Sequence, residues 1–145
     1  MRIGFFGSGA FGLPSLEWLQ AHHEIAFVAS QPDRPAGRKR QLRETPISTF
    51  AIEHKHLLLR PESLDDQVIE EVRSHDVDAW VVIAYGLKLP PTLLQDRFAC
   101  NLHGSLLPRW RGAAPIQRAI MYGDKKIGVS IMKIQEKLDS GPVLI

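Results

Sequence analysis

Short apolar runs alternate with segments of helical periodicity along most of the chain, and this order is the strongest constraint on its fold. Runs rich in β-branched and aromatic residues predict strands, and apolar residues three and four positions apart predict helices. Strands are predicted at 2–6, 24–30, 56–59, 79–85, 98–102 and 127–134, and helices at 11–19, 46–54, 114–121 and from residue 63 onward. The alternation predicts an α/β fold with a mostly parallel sheet.

Residues 79–85 are almost entirely apolar, as is typical of a strand covered on both faces. We therefore predict a Rossmann-like, doubly wound sheet with helices on both faces, which binds ligands at the carboxyl ends of its strands. Ser63 is predicted to begin a helix with a core-facing side made of Leu64, Val68, Ile69 and Val72. Prolines and a glycine within residues 31–37 predict that a long loop begins there.

Length and composition exclude several classes of protein. A chain of 145 residues with 44% hydrophobic and 23% charged residues predicts one domain with a packed core, not a disordered chain. The single cysteine, Cys100, excludes an internal disulfide framework, and the histidine spacing does not resemble a zinc site, so we predict no metal. No apolar run is long enough to span a bilayer, and no signal sequence opens the chain, which predicts a cytoplasmic protein without a membrane partner.

Residues 7–12 (GSGAFG) match the G-x-G-x-x-G pattern of dinucleotide-binding folds, between a predicted strand and a predicted helix. That pattern expects an acidic residue about 20 positions further on, at the end of the second strand, to bind the ribose. Here the second strand is followed by Gln31, and Asp33 comes late, among prolines. We favour the interpretation that Gly7 and Gly9 permit a tight turn and close helix packing. A nicotinamide-dependent oxidoreductase is the alternative.

Asn101 and His103 lie two positions apart at the end of a predicted strand. Because alternate residues of a strand point to one side, their side chains are expected to converge. An amide NH₂ donates hydrogen bonds without titrating, whereas an imidazole near neutral pH both donates and accepts protons. The pair therefore predicts an oxyanion-stabilising site for transfer of an acyl-type group to an amine.

Asp139 follows the last predicted strand in a turn-rich segment. We expect it at the same sheet edge, where its carboxylate could orient His103. Asn, His and Asp are also common in ordinary strand-end turns, so their types alone do not decide the matter. The neighbouring loop does, because residues 105–115 combine two prolines, two arginines and a tryptophan, a composition that indicates a binding loop.

The run 101–117 (NLHGSLLPRWRGAAPIQ) closely resembles the signature of the methionyl-tRNA formyltransferase family, and 138–141 (LDSG) resembles its downstream catalytic aspartate segment. Residues 31–38 (QPDRPAGR) are similar to the basic loop of the family, and 81–90 (VVIAYGLKLP) to its folate-side strand and turn. Formyltransferases that act on glycinamide ribonucleotide or amino sugars share the Asn, His and Asp. The 109–115 run and the Gln31 loop favour the tRNA enzyme over these relatives.

The resemblance implies a formyltransferase fold with Asn101, His103 and Asp139 as catalytic residues. It implies transfer of a formyl group from the cosubstrate 10-formyltetrahydrofolate to the amino group of methionine on initiator tRNA, in translation initiation. An amino-sugar or nucleotide amine acceptor is the alternative within the same chemistry. The folate-binding residues implied are Ser105, Leu106, Leu107, Pro108, Tyr85 and Gly86.

A cluster of cations lies between residues 34 and 43. The resemblance implies that the tRNA-binding residues are Arg34, Arg38, Lys39, Arg40 and Arg43. A charge run alone more often forms a solvated loop, but in this family the loop reaches toward the acceptor end of the tRNA. Phosphate contacts of this kind position a substrate without reading its bases.

The chain is expected to form one unit, residues 1–145, equivalent to the formyltransferase catalytic domain. Its last residues, 142–145 (PVLI), have the composition of a strand that is just beginning. Members of the family continue into a smaller C-terminal β-barrel domain. We therefore expect the catalytic domain to be C-terminally truncated here and the β-barrel domain to be absent.

Overall fold

The elements follow the predicted alternation in the computed structural model, which describes residues 1–36 and 41–145. The strands of this part of the chain are β1 Arg2–Gly7, β2 Glu24–Ala29, β3 Arg34–Ala36, β4 Gln41–Arg43, β5 Leu58–Leu59, β6 Ala79–Ile83, β7 Phe98–His103 and β8 Ser130–Lys133. Its helices are α1 Leu13–His22, α2 Pro46–Glu53, α3 Asp66–Ser74, α4 Pro91–Leu94 and α5 Pro115–Tyr122. A 3-10 turn, Ala10–Gly12, precedes α1.

Six strands form one sheet in the order β5-β2-β1-β6-β7-β8. All neighbouring pairs are parallel except β7 and β8, which are antiparallel. The strand order changes direction between β1 and β6, and such a switch point leaves a crevice at the carboxyl ends of the two strands. The predicted mostly parallel α/β sheet is confirmed.

Helices cover both faces of the sheet, and β1 shows why. Phe5 and Phe6 are adjacent, so they point to opposite faces, and both are fully buried. Phe5 packs in a core that includes Leu16 of α1 and Ile47 of α2. Phe6 packs in a second core with Trp80 and with Val72 of α3, and its ring meets those of Phe27, Trp80 and Tyr85 edge to face. The predicted doubly wound arrangement is confirmed.

Of the predicted boundaries that differ from the structure, two have a clear local reason. The third helix begins at Asp66 instead of Ser63, because the Asp65 carboxylate accepts the Val68 N–H at 3.0 Å and acts as the N-cap. The last strand begins at Ser130 instead of residue 127. Ser130 is paired with His103, where β7 ends, so residues 127–129 have no strand beside them.

A short antiparallel hairpin replaces the long loop that we predicted after β2. Strands β3 and β4 pair Arg34 with Arg43, Pro35 with Leu42 and Ala36 with Gln41. Proline is tolerated here because a two-stranded ribbon consists of edge strands. The proline and charge content of this segment therefore concealed a strand pair from the sequence pattern.

Residues 142–145 run antiparallel beside β8. The Lys133 amide donates to the Pro142 carbonyl at 2.9 Å, and the Leu144 amide donates to the Ile131 carbonyl at 2.7 Å. The strand-like character predicted for this segment is confirmed. No helix in residues 1–36 or 41–145 is long and apolar enough to cross a membrane.

Candidate active site

The two polar residues at the end of β7 face a cavity of about 610 Å³ at the carboxyl ends of the central strands. Asn101, Leu102 and His103 all line it, and Leu102 also packs against the core on the α1 and α2 face. His103 is 7% exposed. Asn101 and His103 thus border the same cavity, at the sheet edge where the sequence predicted them.

His103 is oriented by a backbone carbonyl. Its Nε2 lies 2.9 Å from the Trp110 carbonyl oxygen, and because a carbonyl can only accept, Nε2 carries a proton and donates. Its Nδ1 lies 3.7 Å from Asp139 Oδ2, beyond hydrogen-bonding distance. The contact that we expected between Asp139 and the imidazole is thus a close approach of two buried groups, and the Trp110 carbonyl fixes the ring.

Asp139 is held by the same loop. Its Oδ2 accepts the Gly112 N–H at 2.7 Å, and only 6% of the residue is exposed. Its φ of 48° is in the left-handed region, a conformation that persists where the surroundings enforce it. Two residues later the chain passes close to β8, because a Cβ on Gly141 would lie 1.8 Å from the Lys133 carbonyl oxygen. Asp139 therefore reaches the cavity through a turn that needs glycine two residues later.

Residues 104–114, which we call the site loop, are anchored to β8 by buried Ser130 and braced internally by buried Ser105. Ser130 Oγ donates to the Ser105 carbonyl at 2.9 Å and accepts the Leu107 N–H at 3.2 Å. Ser105 Oγ donates to the Arg109 carbonyl at 2.6 Å. These bonds fix the first half of the site loop before it reaches Trp110.

The predicted folate-binding residues separate into two groups. Tyr85 and Gly86 line the cavity. Of the described residues around the cavity, the site loop contributes Gly104 and Gly112 to Ala114, while Ser105, Leu106, Leu107 and Pro108 lie outside its lining. The reason is that the Ser105 hydroxyl serves the loop backbone and Leu106 packs over Gly128, where a Cβ would lie 2.6 Å from Leu106 Cδ2.

Tyr85 presents an unusual buried phenol. The residue is 2% exposed, and its hydroxyl has no hydrogen-bond partner among the described residues. Burial raises the pKa of Tyr85 to about 12, so the phenol stays neutral at physiological pH. Gly86 follows with φ +92°, and a Cβ on this residue would lie 2.2 Å from Nε2 of the Gln31 amide. The backbone at Gly86 therefore requires glycine.

The cationic hairpin lies apart from the residues that line the cavity. Arg34 and Arg43 are exposed and directly opposite each other on β3 and β4. The two acids that border the hairpin both contact one arginine: Arg60 Nη1 lies 2.8 Å from Asp33 Oδ1 and 3.8 Å from Glu44 Oε1. The other predicted cations, Arg38, Lys39 and Arg40, lie outside the described residues.

Comparison with protein families matches residues 1–145 to the formyl transferase model, over the whole chain. The chain belongs to the formyl transferase family. It is 47% identical to the methionyl-tRNA formyltransferase of Methylobacillus flagellatus and 50% identical to that of Parvibaculum lavamentivorans, in each case over 100% of this chain and 48% of the relative. The chain thus spans about half the length of the curated relatives it matches.

Solved formyltransferases share the fold. The phosphoribosylglycinamide formyltransferase of Bacillus halodurans superposes with a TM-score of 0.80 at 22% identity, covering 100% of this chain and 77% of that one. The same enzyme from Anaplasma phagocytophilum gives 0.81 at 24% identity, covering 100% and 70%. At these identities the likeness concerns the formyltransferase fold, which the sequence predicted.

Formyl transferase membership also decides how the glycine turn is interpreted. A Cβ on Gly7 would lie 2.9 Å from the Ile83 carbonyl oxygen, so this position needs glycine for packing. Ser8 Oγ accepts the Gln31 N–H at 3.1 Å and donates to the Tyr85 carbonyl at 2.9 Å. The turn ties together the ends of three strands, and the family match leaves the nicotinamide alternative without support.

The sequence pattern missed the backbone groups that hold the site. The Trp110 carbonyl and the Gly112 amide contact His103 and Asp139, yet backbone atoms leave no mark in a side-chain motif. Ser130 was also missed, because a lone serine at a strand start resembles any other. Among the described residues, no group of three or more His, Cys, Asp or Glu side chains could hold a metal ion.

Proposed function

We propose that this chain carries the catalytic machinery for moving a formyl group from 10-formyltetrahydrofolate to the amino group of methionine on initiator tRNA. One observation carries the proposal. Asn101, His103 and Asp139 line one cavity, in a chain 47–50% identical to methionyl-tRNA formyltransferases. The proposal assigns residues 1–145 to the catalytic domain and places the protein in the cytoplasm without a membrane partner. No metal is part of it.

The cavity suits a folate-sized donor. Its volume of about 610 Å³ falls in the range of small-molecule sites, and much of its wall is apolar. Tyr85, Leu87 and Leu89 line it on the side of β6. The 10-formyl group supplies a carbon already at the oxidation level of the product amide, so no redox step is needed. The wall near Tyr85 and Gly86 would bind the ring system and leave the formyl group facing Asn101.

Asn101 and His103 stabilise the negative charge that develops on the formyl oxygen when the amine attacks. The Asn101 amide donates one hydrogen bond to that oxygen. Because Nε2 already donates to the Trp110 carbonyl, His103 donates a second through Nδ1 once Nδ1 has accepted the proton that leaves the amine. Removing one such preorganised donor typically costs roughly 100- to 1,000-fold in rate. Because the Trp110 carbonyl already fixes the ring through Nε2, the His103 imidazole does not need to reorient during the reaction.

Asp139 and His103 carry the proton that the reaction displaces. One C–N bond forms to the amine and one C–N bond to the folate breaks, while one proton leaves the amine and one reaches the departing nitrogen. The Asp139 carboxylate has acceptor capacity beyond the Gly112 bond, and it lies 3.7 Å from His103 Nδ1. The two groups are close enough to pass a proton from one nitrogen to the other.

The hairpin supplies cations for the tRNA. Arg34 and Arg43 are exposed, and Arg60 neutralises the two neighbouring acids. Phosphates would relieve the repulsion between two arginines that face each other across the strands. Arg38, Lys39 and Arg40, in the segment between β3 and β4, are proposed to extend the same contact.

The test is transfer of labelled formyl from 10-formyltetrahydrofolate to methionyl-tRNA by the full chain, with Asn101→Ala and His103→Ala beside it. We expect each variant to lose roughly 100-fold or more in rate. Lys133→Ala is the control, since it removes an exposed side chain from the neighbouring strand β8. Undiminished transfer in both active-site variants would contradict the catalytic assignment. Transfer to a nucleotide or amino-sugar amine, and not to methionyl-tRNA, would replace the proposed acceptor.

A further inference from the structure

His103 and Asp139 are both held by one short backbone segment. The Trp110 carbonyl accepts from His103 Nε2, and the Gly112 amide, two residues later, donates to Asp139 Oδ2. A shift of this segment would move the imidazole and the carboxylate together. Residues 110–112 therefore set the geometry of the site without lending it a side-chain group.

This segment and the residues that follow it to Ala114 have a backbone conformation that must be imposed from outside. Trp110, Gly112 and Ala114 have φ values of 59°, 86° and 54°. For residues other than glycine the left-handed region is disfavoured, and it persists where the surroundings over-determine it. Trp110 and Ala114 both carry a Cβ, so an external restraint on the segment is needed.

Asp124 supplies that restraint from just beyond the end of α5. Its carboxylate accepts from the indole Nε1–H of Trp110 and, in a fork, from Arg109 Nε at 3.0 Å and Nη2 at 2.8 Å. Its own amide donates to the Ala119 carbonyl at 3.0 Å, which fixes it to the helix. The hydrogen bonds from Arg109 and then Trp110 hold the pKa of Asp124 below its ordinary value, so the group is a carboxylate at neutral pH.

Aromatic contacts complete the joint between the site loop and the helix. The Arg109 guanidinium lies 4.6 Å from the centre of the Trp110 ring and 4.8 Å from that of Tyr122. The guanidinium of Arg118, which belongs to α5 as Tyr122 does, lies 5.1 Å from the centre of the Trp110 ring. Asp124 is the group that both loop side chains, Arg109 and Trp110, contact through hydrogen bonds, so its removal would release both.

We propose that Asp124 is a positioning residue for the reaction, and that it acts by fixing the segment whose backbone holds His103 and Asp139. The residue lies outside the lining of the cavity, so it has no direct access to the reactants. As far as it concerns catalysis, this inference rests on the proposed formyl transfer. Its structural core, control of the His103 imidazole by Asp124, stands independently of which group is transferred.

The first test compares the full chain with Asp124→Ala and Asp124→Glu by nitrogen-15 NMR of the His103 ring. In the unaltered chain the neutral ring should carry its proton on Nε2. In Asp124→Ala we expect the ring signals to move toward a mixture of tautomers, because the Trp110 carbonyl is no longer held. Asp124→Glu restores a carboxylate and should return the signals partway. Ring signals of Asp124→Ala identical to those of the unaltered chain would overturn the inference.

Kinetics give the second readout. Misplacing reacting groups by about an ångström costs up to about 100-fold, so Asp124→Ala should lower kcat about 10- to 100-fold with KM for the formyl donor unchanged. Glu24→Ala is the matched control, because it also breaks an Arg–carboxylate contact, Arg2 Nε to Glu24 Oε1 at 3.0 Å, far from the site loop. A rise in KM as large as the fall in kcat would contradict a positioning role, and so would an equal fall of kcat in Glu24→Ala.

Trp110→Phe protects the test against poor folding of Asp124→Ala. It keeps a ring between Arg109 and Arg118 and removes the indole N–H that reaches Asp124. We expect the same changes at His103 in smaller measure, and unchanged His103 signals would count against the inference. If the unaltered chain transfers no formyl group, the proposed function fails, whereas the NMR comparison still decides the role of Asp124.

Discussion

The site loop and the cationic hairpin are both connections at the carboxyl end of the sheet, but they are built on opposite principles. In the site loop, polar side chains form hydrogen bonds within the protein: Ser105 donates to the loop backbone, and Arg109 and Trp110 donate to Asp124. The hairpin turns Arg34 and Arg43 outward and is tied at its base by Arg60. The site loop fixes the positions of His103 and Asp139, whereas the hairpin exposes positive charge.

The difference predicts where substitutions will be felt. In the site loop, a lost contact leaves buried backbone groups without partners, so the free energy of unfolding falls. In the hairpin, a lost cation leaves the fold intact and changes the affinity for an anion. The following substitutions test this contrast, in order of decreasing effect on stability.

Ser130→Ala should be the most destabilising. It removes the partner of the Ser105 carbonyl and of the Leu107 amide, and each buried backbone group left unsatisfied costs about 1–3 kcal/mol. We expect the free energy of unfolding, measured in urea, to fall by about 2–4 kcal/mol. Ser140→Ala is the control, since its exposed hydroxyl serves a single local carbonyl, that of Lys137. Equal losses in the two variants would show that the site loop is not anchored through β8.

Gly112→Ala should cost about 1–2 kcal/mol, because φ is +86° and a side chain is disfavoured there. Gly123→Ala is a close match: φ is +80°, and at both positions no described atom beyond the glycine and its two chain neighbours lies within 4 Å of the added Cβ. The two variants should therefore lose similar stability by thermal unfolding. Formyl transfer should fall only in Gly112→Ala, whose amide holds Asp139. An equal fall in both would break the contrast.

Arg43→Ala should leave the free energy of unfolding unchanged within about 0.5 kcal/mol, as is usual for exposed positions. Its effect should appear in tRNA binding, where each lost phosphate contact reduces the slope of log K against log salt by about one. Arg2→Ala removes a cation at the other end of the sheet, where β1 begins, and serves as control. A slope equal to that of the unaltered chain would exclude the hairpin from the tRNA interface.

The sequence predicted what depends on side-chain pattern. Alternation placed every strand of the large sheet, and the residue types of Asn101 and His103 predicted a site at the end of β7, where both border the cavity. The sequence pattern failed where pairing with a distant segment decides whether a strand forms and where it begins. The hairpin was taken for a loop because Pro35 and the flanking cations are typical of loops, and the start of the last strand depended on where β7 stops.

The hydrogen bonds that fix His103 and Asp139 were harder to predict, for a different reason. Asp139 could be expected at the sheet edge, but the partners of His103 and Asp139 are backbone atoms of the site loop. Backbone groups are the same in every residue, so only their conformation distinguishes them. That conformation depends on Asp124, which lies 14 positions beyond Trp110 and belongs to no motif in the sequence pattern.

The backbone contact to His103 has a consequence for mutational studies. Alanine scanning removes side chains and leaves every carbonyl in place, so it cannot delete the acceptor at Trp110. A scan would record a deficit at position 110 and attribute it to the indole, although the hydrogen bond to the imidazole had only been displaced. Replacing the amide between Trp110 and Arg111 by an ester weakens that carbonyl directly and leaves both side chains intact. For this site, chemical synthesis of the main chain is the more faithful form of mutagenesis.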